Sequence, residues 1–116
     1  MAKKKIKVVL TNHVFELRNV QVAEFLSEET TAFSADIFVD GQRIGYCTNS
    51  GHGEGNFPMV TNNYRPLIEE IEAETTKYSH EYEWNGRKYY FQYTMDFLIA
   101  MMVDAAYYKN KSVYKL

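Results

Sequence analysis

Phe33-Ser34-Ala35-Asp36-Ile37-Phe38-Val39-Asp40-Gly41-Gln42-Arg43-Ile44-Gly45-Tyr46-Cys47-Thr48 is the stretch that decides the fold. Two runs rich in β-branched and aromatic residues flank Asp40-Gly41, the dipeptide preferred in a two-residue type I′ turn because both central residues need φ > 0. The stretch reads as a β-hairpin. A turn at those residues sets Val39 opposite Gln42, Ile37 opposite Ile44 and Ala35 opposite Tyr46, gathering apolar side chains on one face. Asp36 then faces Gly45 and Phe38 faces Arg43 on the other side. Cys47 belongs to that second, less apolar face, which argues for some exposure. It is the only cysteine, so there is no intramolecular disulfide, and a buried thiol in a reducing compartment is the simple reading.

A second hairpin lies further along, with Asn85-Gly86 as its turn between 79–84 and 87–93. Trp84 would face Arg87, Glu83 would face Lys88 and Tyr82 would face Tyr89, so a cation–π contact, a charge pair and an aromatic pair support one register. These aromatics suit a core or sheet surface, and an exposed set could stack a base or sugar. Upstream of the first hairpin, 5–10 reads as a short strand whose lysine-rich start, Lys3 to Lys5, is a solvated terminus. From His13 to Arg18 the inward side is that of Phe15 and Leu17, whereas Val20 and Val22 alternate in the opposite phase. A slip of one residue swaps the faces of a strand, so a bulge or turn is expected near Asn19. The phase shifts again at Ala23 and Phe25, and 27–31 is a polar connector.

Phe57-Pro58-Met59-Val60 suits a short edge strand. Tyr64, Leu67, Ile68, Ile71 and Tyr78 then share one face of a helix, with Asn62 or Asn63 as its cap and Pro66 in its first turn. Glu69, Glu70, Glu72 and Glu74 cover its remaining surface, as a solvated face or as an acidic patch for a basic partner. Thr94 caps the last helix, with Asp96 in its first turn. From Phe97 to Tyr108 that helix is apolar nearly all round, broken by Asp104. Such a helix is buried on two sides, and the second side is a place for another subunit, giving a homodimer through the C-terminal helix.

Between the first hairpin and the first helix runs Asn49-Ser50-Gly51-His52-Gly53-Glu54-Gly55-Asn56. Glycines at alternate positions let a backbone reach φ > 0 and approach a partner closely. The loop lacks the Lys-Ser/Thr ending of a P-loop, as well as the glycine spacing and immediate helix of a dinucleotide fingerprint. A looser expectation survives: the amides of Gly51, Gly53 and Gly55, helped by His52, cradle an anion or polar ligand, with Asn49, Glu54 and Asn56 beside them. The alternative is a tightly turned connection. His52 and Glu54 could share a face, but a metal needs three or four ligands, and His13 and His80 have no spacing relation to His52, so no metal is expected. Ser50 or Cys47 could act as a nucleophile with His52, though no Gly-x-Ser-x-Gly elbow is present.

Composition sets the outer bounds. A chain of 116 residues with 46% hydrophobic content is one domain, 1–116, able to bury a core without staples. Ten Tyr and seven Phe suit a β-rich fold or an aromatic contact surface. A net charge of −2 gives no support to nucleic-acid binding, which is dominated by phosphate neutralisation. No signal-peptide core follows the N-terminal lysines, and the longest apolar run, 97–103, is far short of the roughly 20 residues of a membrane span. A cytoplasmic protein is expected.

Ala35 to Gly41, then Gly45, then Asn49-x-Gly51-x-Gly53, resemble a pattern in small uncharacterised proteins of bacteria and their phages. The resemblance covers about a fifth of the chain. It implies a phage or mobile-element accessory protein that acts by binding, and no catalytic residue is transferred from it.

The residues together predict an α+β domain: an antiparallel sheet of two hairpins plus the N-terminal strands, packed by two helices. The expected function is non-enzymatic binding, without a cofactor, of a small polar or phosphorylated ligand or a protein surface through Asn49, Gly51, His52, Gly53, Glu54, Gly55, Asn56 and nearby aromatics. Rival readings are an inhibitor of a host protein and a small hydrolase using His52.

Overall fold

The computed structural model describes residues 4–116. β1 (Lys4–Val9), β2 (Val14–Val22), β3 (Phe33–Val39), β4 (Gln42–Asn49) and the short β5 (Met59–Val60) form one antiparallel sheet in that order. α1 (Arg65–Thr75) follows, then β6 (Ser79–Trp84) and β7 (Arg87–Gln92) as a separate two-stranded ribbon, and last α2 (Met95–Tyr107). The architecture is α+β, as the patterning predicts. Among the described residues no helix is long and apolar enough to cross a membrane. Of the lysine-rich start, Lys3 lies outside the described residues, Lys5 is exposed, and Lys4 Nζ donates to Asn110 Oδ1 at 3.0 Å.

Two bulges give the sheet its shape. Asn19 adopts φ 55°, and the register slips there against both β1 and β3. The slip keeps Phe15 and Leu17 before it, and Val20 and Val22 after it, on the buried side, which accounts for the phase change in the sequence. The second bulge is at Ile44. Val39 pairs with Gln42 and Phe38 with Arg43 as expected, but beyond them Ile37 pairs with Gly45, Asp36 with Tyr46 and Ala35 with Cys47. The expected pairs Ile37–Ile44, Ala35–Tyr46 and Asp36–Gly45 are therefore displaced by one residue. Because one extra residue flips every later side chain, Ile44 stays inward while Cys47 turns into the core, fully buried. Burial pushes its thiol up to about 12, so exposure on the outer face is corrected. A Cβ at Gly45 would lie 2.2 Å from the Met59 carbonyl oxygen, so glycine there is what lets β5 close on β4.

α2 covers the inner sheet face with Leu98, Ile99, Met102, Val103 and Ala106, in one cluster with Ile6, Phe15, Leu17 and Ile37. Thr94 caps it, accepting from the Phe97 amide at 3.3 Å. The other side of α2 is met by its own chain, with Phe97 against Tyr93 and Phe91 at ring separations of 5.4 and 5.7 Å. At its Phe97 end the second apolar side of α2 is thus in contact within the chain.

α1 adds Ile68 and Ile71 to the core. It is entered through a 3-10 turn, Asn62–Tyr64, and no side chain caps it; Asn63, an expected cap, instead accepts from the Thr61 hydroxyl. Three of its carboxylates are tied to other elements: Glu70 bonds His13, Glu72 accepts from the Met95 amide at 2.6 Å, and Glu74 accepts from the Thr11 amide at 2.8 Å. The acidic face is largely a set of struts. At the far edge of the sheet, residues 112–114 run beside β1: the Lys7 amide donates to the Ser112 carbonyl at 3.0 Å, and the Tyr114 amide to the Lys7 carbonyl at 2.8 Å.

Candidate binding site

Asn49 ends β4 on its inward side and is the hub of the loop. Its Oδ1 accepts from the Gly51 amide and the Thr30 hydroxyl, each at 2.8 Å, while its Nδ2 donates to the Glu54 carbonyl at 2.9 Å and to Asn56 Oδ1 at 2.8 Å. A buried carboxamide with both ends satisfied holds a single conformation. Asn56 carries the loop onto α2, its amide donating to Asp96 Oδ1 at 2.8 Å.

The glycines serve the same closure. Gly51 sits at φ 91°, a Cβ there would lie 2.1 Å from the Leu26 carbonyl oxygen, and its own carbonyl accepts from the amides of Glu28, Glu29 and Thr30. Only glycine combines that dihedral with that approach. The Gly51 amide is donated to Asn49 and the Gly53 amide to Thr30 Oγ1 at 3.2 Å. Two of the amides expected to cradle an anion are thus donated within the chain, and the inner side of 49–56 is a lock between β4, the 27–31 connector and α2.

The outer side differs. Ser50, His52 and Glu54 are exposed and adjacent. The Ser50 hydroxyl donates to Glu54, holding that carboxyl below its usual range, and lies 3.4 Å from His52 Nδ1, while His52 Nε2 is 3.7 Å from Glu28. A hydrolytic relay needs the histidine between the hydroxyl and the carboxylate, as the acceptor of the hydroxyl proton. Here that proton goes to Glu54. Among the described residues no group of three or more His, Cys, Asp or Glu side chains could hold a metal ion.

This polar rim borders an open groove of about 720 Å³, walled by Val22, Phe25, Leu26, Phe33 and Tyr107, with Ser50 and His52 at its edge. Phe25 is 86% exposed. It stands on a 3-10 turn, Glu24–Leu26, held by the Ser27 amide donating to the Glu24 carbonyl. In sequence only the broken phase at Ala23 and Phe25 marks this wall, and nothing local links it to Tyr107, about 80 residues on. Compared with protein-family models, curated proteins and solved structures, the chain matches none.

Proposed function

We propose that the protein is a non-enzymatic binding module that engages another protein, taking an apolar side chain of the partner into the groove beside the glycine loop, with Ser50, His52 and Glu54 reading polar groups at the rim. The single observation that carries this reading is the wall of Val22, Leu26, Phe33 and Tyr107 surmounted by the solvent-facing Phe25. A small-molecule site encloses most of its ligand, whereas an open groove with a projecting aromatic suits a macromolecular surface. The buried thiol of Cys47 accords with a reducing cytoplasm, and a phage or mobile-element accessory role is compatible with a module of this kind.

A peptide library selected against the full chain tests it. We expect convergence on ligands with one large apolar anchor, whose affinity falls at least tenfold in Leu26→Asp or Phe25→Asp and persists in Tyr90→Asp, on a different element. Ligands indifferent to both groove substitutions would overturn the proposal. The hydrolase reading is separated by turnover: ester or amide hydrolysis by the full chain that His52→Ala abolishes would favour it, whereas on the binding reading there is no turnover and the same substitution only weakens the rim contacts of a selected peptide.

A further inference from the structure

The β6–β7 ribbon has two unlike faces. The observed pairs Trp84–Arg87, Tyr82–Tyr89 and His80–Phe91 put His80, Tyr82, Trp84, Arg87, Tyr89 and Phe91 on one side. Glu81, Glu83, Lys88 and Tyr90 stand on the other, where Lys88 Nζ lies 3.2 Å from Glu81. Such alternation is the pattern of a sheet with one face buried. Among the described residues the aromatic face is covered at its base, where Phe97 of α2 meets His80 and Phe91 at ring separations of 6.0 and 5.7 Å. Beyond that point the rings stand in solvent, and Trp84 is 58% exposed. A two-stranded ribbon alone is marginally stable in water, and a further apolar layer is what such a face lacks.

We infer that a second copy of this chain docks on this face, ribbon against ribbon across a two-fold axis. Three observations favour that occupant. The rings are tilted, Tyr82 against Tyr89 by 41° and against Phe91 by 54°, which suits interdigitation with other tilted rings; a nucleobase or sugar stacks on a flat platform. The face carries one permanent cation, Arg87, with rings to receive it, and the carboxylates lie behind, so the contact across it is of cation–π kind. A two-fold axis across the strands runs the two ribbons in opposite directions, which keeps the two Arg87 apart and brings each toward rings of the partner. The area is adequate for a weak dimer. With Tyr82, Trp84, Tyr89 and Phe91 between 41% and 58% exposed, and about 200 Å² for each such ring, the rings alone offer about 400 Å² per copy. A standard interface buries about 800 Å² per partner, so this one is small and the dimer is expected to be weak and to form only toward the upper end of a concentration series.

Trp84 is the only tryptophan, so its emission reports on this face directly. Sedimentation and light scattering of the full chain over a concentration series should show the mass doubling, with Trp84 emission shifting to the blue over the same range. Tyr82→Glu and Tyr89→Glu should each raise the dimer dissociation constant about 30-fold or more, while Tyr90→Glu, on the opposite face, and Leu26→Asp, in the groove, leave it unchanged. All four side chains are exposed, and far-UV circular dichroism checks that each variant is folded. A mass that stays monomeric throughout, a dimer that survives both Tyr82→Glu and Tyr89→Glu, or emission that does not move as the mass doubles would overturn the inference. Failure of the groove reading leaves these results untouched, because Phe97 and Tyr107 lie about 15 Å apart along α2.

Discussion

Asn49 ties the end of β4 to the 27–31 connector and to the glycine loop through four side-chain hydrogen bonds. Asn49→Ala would leave the Gly51 amide, the Thr30 hydroxyl and Asn56 without that partner, a loss of about 3 kcal/mol at the usual cost of unsatisfied buried groups. Urea unfolding of the variant measures it, and a change below about 1 kcal/mol would contradict the hub. His13 offers a pH test. Its Nδ1 lies 2.7 Å from Asp40 and its Nε2 bonds Glu70, so the imidazolium is favoured, by Asp40 foremost, and the pKa rises above its ordinary 6.5. A pKa raised on folding stabilises fully below the unfolded value and is lost as pH climbs through the folded one. Asp40, held below 3.8 chiefly by His13, works the other way, stabilising above that value and losing its share as pH falls through its lowered pKa. The contribution of the pair is therefore greatest between the two, around pH 4 to 6.5. His13→Gln should flatten the fall of the urea midpoint above pH 6.5, and a proton titration placing His13 at or below that value would refute the account.

At the scale of elements, the bulge at Ile44 has a chemical signature. With Cys47 buried and its thiol pushed up to about 12, a thiol reagent at neutral pH should label the native chain only as fast as it unfolds. Labelling within the mixing time, without denaturant, would mean that β4 runs straight and turns Cys47 outward. The cap of α2 gives a second test. Thr94 holds the Phe97 amide from an exposed position, and Thr94→Ala should cost about 1 kcal/mol, with Thr94→Ser restoring most of it, as read from urea unfolding.

Across the whole molecule, what could be read in advance was what is local in the chain. Asp40-Gly41 and Asn85-Gly86 each announce a turn, and the ribbon register follows from its turn alone. Asn19 was visible because the phase of apolar residues reverses around it. Ile44 was not, since no phase change marks its bulge, and Gly45 beside it is accounted for by the close passage of Met59, a contact between segments that share no local pattern. The same limit governs the site. Residues 49–56 stand out by their glycines, but whether an amide faces a guest or Thr30 depends on how a distant connector folds over it. The groove wall of Phe25 and Tyr107 is likewise assembled only in three dimensions. Exposure of the ribbon was undecidable in sequence, where alternating aromatics describe a covered face and a waiting one equally well.

The segment 112–114 laid along β1 has an implication for biosynthesis. The outermost strand of the sheet is made before the residues that shield its free edge, which follow it about 100 residues later in the chain. During translation that edge is therefore an open template for a neighbouring nascent chain, of the kind from which aggregation starts. Cutting the gene after residue 111 should reproduce this vulnerable state permanently, yielding a polypeptide that precipitates on expression, whereas adding a soluble tag beyond residue 116 should not.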